Sequence, residues 1–338
     1  MTGVRSVPTR SVRTIPAGDV ELVCISIVAP RRGRSVVVTA GVHGDEWTGT
    51  GAVERLAERL EAELDAGSVH LYPSVNPAGR ARGMRRVPTG SVEPASEGTE
   101  IDLNRCFPGA ASGNVADRLA HAVWTDVVAR APDLVLDLHA DSPLSVPYVL
   151  LDRAVMLGGP ARARLEARAL TLAAETGWTV LHDFEDARYA SARLDRSLSG
   201  CALNRLGVPA MTLEAGPRGV LEPGAVAEMV GALRGLLVAC GNLAPAAENA
   251  PVHASRVGGG PWRREIGPFA PAAGRVAPQV PAGYFVVKGT VLVHVCDPEG
   301  GVLAQVCAET EGFVVSHLQG AQVATGAPVC TWATRERA

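Results

Sequence analysis

Short apolar strand patterns alternate with helical patterns over residues 20–240, and this alternation constrains the fold more than any other feature of the sequence. Strands are predicted at residues 20–30, 36–40, 68–77, 132–139 and 207–216, and helices at residues 50–65, 115–130, 158–177 and 223–240. Fully apolar strands such as residues 36–40 are typical of a sheet that is buried on both faces. The alternation therefore predicts an α/β fold, in which helices cover the faces of a sheet.

The alternation stops near residues 242–252, a linker rich in Pro and Ala. Beyond it the chain shows short strand patterns separated by Gly turns and no helical pattern, which predicts a small all-β domain. We therefore predict an α/β domain over residues 1–245 and an all-β domain over residues 246–338. Residues 78–100 are rich in Gly, Arg, Pro and Ser and are predicted to form a long loop, and such loops are usually functional.

The composition argues against several classes of protein. Of the 338 residues, 47% are hydrophobic and 20% are charged, so the chain can bury a sizeable core. The formal net charge of -3 argues against a nucleic-acid partner, which would require a basic face. The seven cysteines show no C-x-x-C pair, and no apolar run reaches about 18 residues. We expect a soluble cytoplasmic protein with no membrane partner.

The stretch VVVTAGVHGDEWTG places a histidine and a glutamate directly after an apolar strand. His43 and Glu46 are three residues apart, so both side chains can face one side of a turn, as zinc ligands must. The same spacing fits a Glu in the first helical turn beside an unrelated His. His139 and Glu214 also stand at the ends of apolar strands. Because sites in open α/β sheets form at the carboxyl ends of strands, these side chains are predicted to meet at one edge.

Two histidines and one glutamate are the ligand set of a catalytic zinc, which keeps a position for water. The sequence thus predicts one Zn2+ per chain, bound by His43, Glu46 and His139. A further carboxylate is needed as base and proton shuttle, and Glu214 is the candidate. The polar turn DLNRCFPG adds Asn104 and Arg105, and the planar fork of arginine suits a carboxylate. An ordinary capped loop is the alternative for this pair.

Five motifs in this order resemble the succinylglutamate desuccinylase/aspartoacylase family of the zinc carboxypeptidase clan: GVHGDEWTG, VNPAGRARGMRR, DLNRCFPG, DLHAD and MTLEAG. The resemblance covers residues 20–335. It implies a zinc-carboxypeptidase-like mixed sheet flanked by helices and followed by the all-β domain. It also implies hydrolysis of the amide bond of an N-acyl amino acid or a similar small molecule.

The resemblance implies a role for each matching residue. The matches are the zinc ligands His43, Glu46 and His139, the general base Glu214, the oxyanion-stabilising Arg85, and the substrate-carboxylate pair Asn104 and Arg105. Arg86 is the other register for the arginine. Asp137, two residues before His139, matches a structural or supporting carboxylate.

Residues 182–207 match no motif of the family. The segment contains Arg188 and Tyr189, and its position suggests that it determines substrate specificity. A polar surface loop is the alternative interpretation. The acyl group of the substrate is therefore not predicted.

The sequence as a whole predicts a zinc-dependent deacylase whose partner is a small N-acyl amino acid-like substrate. A carboxypeptidase acting on short peptides is an alternative, because the clan shares the zinc ligands. An amidase or deacylase of a specialised metabolite is another. A binding module that lost its chemistry is disfavoured, because the ligand, base and arginine positions are intact. A homo-oligomer is compatible with the sequence.

Overall fold

A computed structural model gives the fold of the chain and describes residues 7–89, 100–245, 257–258, 260–318, 320 and 322–336. Part of the loop predicted at residues 78–100 lies outside the described residues. Most of the linker predicted at residues 242–252 does so as well. Every candidate site residue named above lies within them.

The described residues form seven α-helices and eighteen β-strands. The helices are α1 (Trp47–Glu63), α2 (Pro77–Ala81), α3 (Val115–Ala129), α4 (Gly159–Ala174), α5 (Asp186–Ser191), α6 (Leu198–Cys201) and α7 (Pro223–Ala239). The first ten strands are β1 (Thr9–Ala17), β2 (Val20–Val28), β3 (Ser35–Ala40), β4 (Ser68–Tyr72), β5 (Val87–Pro88), β6 (Glu100–Ile101), β7 (Leu134–Asp141), β8 (Tyr148–Leu151), β9 (Thr179–His182) and β10 (Ala210–Pro217). The others are β11 (Trp262–Ile266), β12 (Gly274–Pro278), β13 (Phe285–Val286), β14 (Val291–Cys296), β15 (Val302–Cys307), β16 (Gly312–His317), β17 (Gln322–Val323) and β18 (Cys330–Arg335). Among the described helices, none has the length and apolarity needed to cross a bilayer.

Twelve strands form one mixed sheet in the order β1-β2-β4-β3-β7-β10-β8-β9-β11-β18-β16-β13. Its centre is parallel, because β4, β3, β7 and β10 run in the same direction. β2 and β8 run antiparallel to their neighbours β4 and β10. This mixed sheet flanked by helices confirms the predicted fold class. The carboxyl ends of β3, β7 and β10 lie side by side at one edge.

Helices cover both faces of the parallel centre, which explains why β3 is almost entirely apolar. Val36, Val38 and Ala40 face a core built with α1 and α7, whereas Val37 faces a second core built with α3. All four side chains are fully buried. Burying an aliphatic side chain of valine size contributes about 1.5–3 kcal/mol. The strand ends that carry the polar residues are therefore held by a rigid support.

Strands alone build the described chain after α7, as predicted. β11 pairs in parallel with β9 and so joins the C-terminal strands to the large sheet. Four further strands form an antiparallel sheet in the order β15-β14-β12-β17. This sheet shares an apolar core with β16 and β18 of the large sheet, and the core includes Val276, Leu292, Val314 and Trp332. Because this region has a core of its own, we retain the division after residue 245 as a proposal.

Residues 182–207, called the covering segment below, include α5 and α6 and lie against the turn that follows β6. Asn104 Oδ1 accepts a hydrogen bond from the Leu198 N–H at 3.0 Å. Arg105 Nε donates to the carbonyl of Ala192 at 3.0 Å. The segment that matches no motif thus packs on the residues predicted to bind a carboxylate.

The local predictions differ from the structure at several ends. The strand predicted at residues 68–77 ends at Tyr72. Asn76 caps α2, because its Oδ1 accepts from the Gly79 N–H at 2.9 Å, and so a helix replaces the start of the predicted loop. Strands β1, β8 and β9 were not predicted. β8 and β9 have four residues each, and only two of the nine residues in β1 are buried, so none gives a strong sequence pattern.

Candidate active site

His43 and Glu46 follow β3 through a tight turn that depends on glycine. Gly41 has a φ of 64°, in the left-handed region that favours glycine. Gly44 packs so closely on α2 that a Cβ atom would lie 2.2 Å from the backbone nitrogen of Arg80. Glu46 directly precedes α1. The turn therefore fixes both side chains above the end of β3.

His139, from the neighbouring strand β7, meets these two side chains. The three residues, called the ligand triad below, are buried, with exposures of 4% for His43, 3% for Glu46 and 2% for His139. The two histidine Nδ1 atoms lie 3.1 Å apart. Glu46 Oε1 lies 2.9 Å from His43 Nδ1, and its Oε2 lies 2.8 Å from His139 Nδ1. Two imidazole nitrogens and a carboxylate thus converge on one point.

The spacing of the ligand triad fits a metal ion. Ligands that lie about 2.0–2.1 Å from a tetrahedral zinc are roughly 3.3 Å from one another. The distances of 2.8–3.1 Å between the triad atoms are close to this value. Among the described residues, no other group of three ligating side chains is found. The triad could therefore hold one metal ion.

Burial and charge act against each other at the triad, and charge prevails. Burial would lower the pKa of His139, but Asp137 and Glu46 raise it well above its usual value. Burial would raise the pKa of Glu46, but His43 and His139 hold it well below its usual range. Burial would also lower the pKa of His43, which Glu46 and Asp102 raise. The surroundings therefore favour an ionised Glu46 and positive charge beside it.

A carboxylate lies behind each histidine. His139 Nε2 is 2.9 Å from Asp137 Oδ2, and the Thr39 hydroxyl donates to Asp137 Oδ1 at 2.7 Å. His43 Nε2 is 3.4 Å from Asp102 Oδ1. A carboxylate in this position orients an imidazole and directs its other nitrogen to a metal. No role was predicted for Asp102, although it lies in the motif DLNR together with Asn104 and Arg105.

Glu214 lies beside the triad in the carboxyl-terminal half of β10. Its backbone is in register with His139 on one side and Tyr148 on the other, so the three side chains share one face of the sheet. Burial, together with Glu46 and Asp141, raises the pKa of Glu214 to about 8, although His139 acts in the opposite direction. A carboxyl group with a raised pKa beside a metal-binding group is suited to proton transfer.

Arg85 reaches the triad from the chain after α2. Its Nη1 donates to Glu46 Oε1 at 2.5 Å, and its side chain is 40% exposed. The Gly44 N–H donates to the Arg85 carbonyl at 3.1 Å, which anchors this chain to the turn after β3. Burial would lower the pKa of Arg85, but Glu46 and Glu214 raise it. Arg86, the other predicted register, is exposed.

Asn104 and Arg105 lie in the turn whose first residue, Asp102, contacts His43. Asn104 is 8% exposed, and its Oδ1 is bonded to the covering segment. Arg105 Nη1 donates to the Asn104 carbonyl at 2.6 Å, and its side chain is partly buried. The contacts hold the turn between the ligand triad and the covering segment.

Arg188 and Tyr189 point in different directions from α5. Arg188 is exposed, and its guanidinium lies 5.1 Å from the centre of the Phe184 ring. Tyr189 is fully buried, and its hydroxyl donates to Asp152 Oδ1 at 2.7 Å. Tyr189 therefore contacts Asp152, which was not predicted as a site residue because it lies in no recognisable motif.

The chain belongs to the succinylglutamate desuccinylase/aspartoacylase family. The model of the succinylglutamate desuccinylase/aspartoacylase catalytic domain matches residues 32–239, which is more than half of the chain. The matched range contains the ligand triad, Glu214 and Arg85. The family is named after hydrolases, and these enzymes act on non-peptide amide bonds.

A curated relative and several solved structures resemble the chain. N-alpha-acetyl-L-2,4-diaminobutyric acid deacetylase of Halomonas elongata is 31% identical over 137 residues, which span 39% of this chain and 37% of that relative. An aspartoacylase family protein from Mesorhizobium loti has a TM-score of 0.75 and 20% identity, over 98% of this chain and 96% of its own. A succinylglutamate desuccinylase/aspartoacylase from Rhodobacter sphaeroides has a TM-score of 0.74 and 22% identity, over 100% and 98%. At these identities the two structures show that the fold is shared.

Proposed function

We propose that the protein is a zinc-dependent deacylase that hydrolyses the amide bond of a small N-acyl amino acid. The observation that carries the proposal is the meeting of the ligand triad with Glu214 and Arg85 at one edge of the sheet. Family membership supports the reaction type. The named substrate of the Halomonas relative, an N-acetylated diamino acid, supports the substrate class.

Zinc would be held by the Nδ1 atoms of His43 and His139 and by the carboxylate of Glu46. A zinc ion in such a site lowers the pKa of a water molecule and polarises a carbonyl group. Asp102 and Asp137 lie behind the two imidazoles and would keep their orientation. The donor set of two nitrogens and one carboxylate leaves room for water and substrate.

Glu214 and Arg85 would carry out the steps that need a proton and a positive charge. Glu214 accepts a proton from the attacking water as the new C–O bond forms. It then donates this proton to the nitrogen of the leaving amine as the C–N bond breaks. The guanidinium of Arg85, which already faces Glu46 and Glu214, stabilises the negative charge on the carbonyl oxygen.

Asn104 and Arg105 would bind the carboxylate of the substrate. Their turn lies beside His43 and under the covering segment, so a carboxylate held there is close to the triad. A substrate gripped at one end presents its amide in a fixed orientation, which removes much of the entropic cost of reaction. Arg188, which is exposed on α5 of the covering segment, is proposed as a further contact for the substrate.

The experiment that tests this proposal combines metal analysis with an amine-release assay. We expect about one zinc per purified chain. N-acetyl and N-succinyl amino acids, including Nα-acetyl-L-2,4-diaminobutyrate, are then offered together with a dipeptide. Release of the amine from an N-acyl amino acid, abolished by a chelator and restored by zinc, is the expected result.

Two outcomes would contradict the proposal. A protein that binds no zinc even after incubation with the metal would remove the role of the ligand triad. A zinc-loaded protein that cleaves the dipeptide and none of the N-acyl amino acids would be a carboxypeptidase instead. His294→Ala, which changes a histidine in β14, is the matched control and should leave zinc content and turnover unchanged.

A further inference from the structure

A buried carboxylate under the covering segment has an oxygen without a partner. Asp152 directly follows β8 and is 7% exposed. Its Oδ1 accepts the hydroxyl of Tyr189, whereas its Oδ2 has no hydrogen-bond partner among the described residues. Leaving a buried polar atom unpaired is costly, and more so when the group is charged. Such an atom needs a donor that the described chain does not supply.

Asp152 lies on the same face of the sheet as the proposed base. β8 and β10 pair antiparallel, with Tyr148 opposite Glu214 and Leu150 opposite Thr212. Side chains two residues apart on a strand share a face, so Asp152 follows Tyr148 and Leu150 on the face that carries Glu214. The buried carboxylate and the base are therefore on the same side of the sheet.

Hydroxyl groups lie along this face between the two carboxylates. Ser199, on α6 of the covering segment, is 1% exposed, and its Oγ lies 3.0 Å from the Thr212 hydroxyl. Ser199 is also close enough to Asp152 to favour its charged form. Asp152, Ser199 and Thr212, called the pocket floor below, thus form a buried polar track that runs from Glu214 beneath the covering segment.

A cation contacts the neighbouring acid directly, and the same cation acts on Asp152 only at longer range. Arg264, from β11, donates its Nε and Nη2 to Asp183 Oδ1 at 3.0 and 2.7 Å. No ion pair to Asp152 is found within the described residues. Burial and the nearby Asp183 raise the pKa of Asp152 to about 7, so a cation bound there would stabilise its ionised form. Within the described residues, no cation is therefore in direct contact with Asp152.

An ammonium group fits this position better than a metal ion. Within the described chain, three metal-ligating side chains come together at the ligand triad alone. An ammonium group has three donors, which one carboxylate oxygen and neighbouring hydroxyl groups can accept. Leu151 pairs with Met211, which places Asp152 level with Ala210 and four residues from Glu214 along β10. This is roughly 13 Å between backbone positions at 3.3 Å per residue, so the ammonium must lie several bonds from the cleaved amide.

We infer that Asp152 selects N-acyl amino acids whose side chain ends in an ammonium group. The inference rests on the proposed deacylase function and names the substrate class within it. The α-carboxylate is bound by Asn104 and Arg105, the amide lies at the ligand triad, and the ammonium group donates to Asp152 Oδ2. Tyr189 is a positioning residue, because its hydroxyl holds the other oxygen of Asp152.

Two substrates of similar shape test the inference without any variant. Nα-acetyl-L-lysine and Nα-acetyl-L-norleucine differ in the terminal ammonium group. We expect kcat/KM to be at least about 100-fold higher for the lysine compound, because a site with a buried polar partner rejects an analogue that lacks it. Equal kcat/KM values for the two compounds would overturn the inference while leaving the deacylase function intact.

Asp152→Asn tests the residue itself. The variant keeps the shape of the side chain and an acceptor for Tyr189, and it removes the charge. We expect kcat/KM for Nα-acetyl-L-lysine to fall about 100-fold, mainly through KM, and that for Nα-acetyl-L-norleucine to change by less than about threefold. Glu185→Gln is the matched control, because Glu185 is an exposed acid in the same covering segment. An equal loss for both substrates would assign Asp152 to folding alone and overturn the inference.

A binding measurement separates this inference from the proposed function. Calorimetric titration of L-lysine and L-norleucine into the purified protein requires no turnover. Tighter binding of lysine than of norleucine to the wild type, lost in Asp152→Asn, supports the inference. This holds even if no N-acyl substrate is hydrolysed. Absence of hydrolysis would contradict the deacylase proposal alone. Equal binding of the two amino acids by the wild type contradicts the inference.

Discussion

The ligand triad and the pocket floor lie on the same side of one sheet, but their side chains are satisfied to different degrees. Each member of the triad has polar partners at 2.8–3.1 Å, and a carboxylate lies behind each imidazole, although Asp102 lies 3.4 Å from His43 Nε2 without forming a hydrogen bond to it. In the floor, Asp152 has one paired oxygen and one without a partner in the described chain. The triad could hold a metal ion, and the floor is inferred to accept the ammonium group of a substrate.

The difference follows from what supports each region. The triad stands on the ends of β3 and β7, which lie in the rigid parallel centre of the sheet. The floor combines a strand end with Ser199 from the covering segment, which is built of short helical turns. Segments that lie over a rigid sheet can change without loss of the fold. In the proposed function, the sheet therefore holds the residues that carry out the chemistry, and the segment above it would contribute to substrate choice.

The largest expected effect comes from breaking the ligand triad. His139→Ala removes one ligand, leaves Glu46 without one of its two histidine partners, and should abolish stoichiometric zinc binding. Turnover of every substrate should then fall below detection, in contrast to a change in the floor, which affects one substrate class. Metal analysis and the amine-release assay measure both effects. Zinc retained at about one per chain would contradict the assignment of His139 as a ligand.

Glu214→Gln should separate metal binding from chemistry. The amide side chain is close in shape to the carboxyl group and cannot accept the water proton, so kcat should fall by about 10²–10⁴ while zinc content is unchanged. The loss should be equal for cationic and neutral substrates, because Glu214 acts on the amide. Glu228→Gln, on α7, is the control. Unchanged kcat in Glu214→Gln would remove the residue from the mechanism.

Asp137→Asn should weaken the triad without destroying it. Asp137 is fully buried and holds His139 Nε2, so its loss should lower zinc affinity by about 10- to 100-fold. Thr39→Val removes only the hydroxyl that holds Asp137 and should have a smaller effect in the same direction. Competition with a chelator measures the affinities. If Asp137→Asn binds zinc as tightly as the wild type, the carboxylate does not support His139.

The sequence was sufficient to predict the helices and strands whose hydrophobic periodicity lies within one continuous stretch of the chain. The apolar strands β3, β7 and β10 and the helices α1, α3, α4 and α7 were predicted because each has a clear periodicity and is long enough to show it. His43, Glu46 and His139 could be grouped because parallel strands end at one edge. Their role as zinc ligands and the role of Glu214 remain predictions.

The pocket floor could not be predicted from the sequence, for physical reasons. Asp152 follows the short strand β8, whose four residues give too little periodicity to identify a face. Its relation to Glu214 depends on the antiparallel register of β8 against β10, which no spacing in the chain encodes. Ser199 reaches the sheet only because the covering segment folds back over it. The burial of Tyr189 against Asp152 could not be predicted either, because Tyr189 lies in a segment without a motif.

The last expected effect concerns stability and leaves activity and zinc affinity aside; it tests whether Asp152 is satisfied in the folded protein. The pKa of Asp152 is raised from 3.8 to about 7 by burial and by Asp183, while Tyr189 and Arg264 favour its ionised form. A raised pKa means that the native state holds the proton more tightly than the unfolded state. The stabilising contribution is therefore complete below pH 3.8 and is lost as the pH rises through about 7.

Asp152→Asn has no such ionisation and should avoid this loss. Between pH 5 and pH 8, the free energy of unfolding of the metal-free wild type should fall by about 2–4 kcal/mol relative to that of the variant. Denaturant unfolding at a series of pH values measures the difference, with Glu185→Gln as the control that follows the wild type. Because a bound ammonium group would favour the ionised form, adding L-lysine should reduce the difference at pH 8. A difference that does not vary with pH would mean that Asp152 is satisfied in the folded protein, and the contrast between the floor and the triad would not hold.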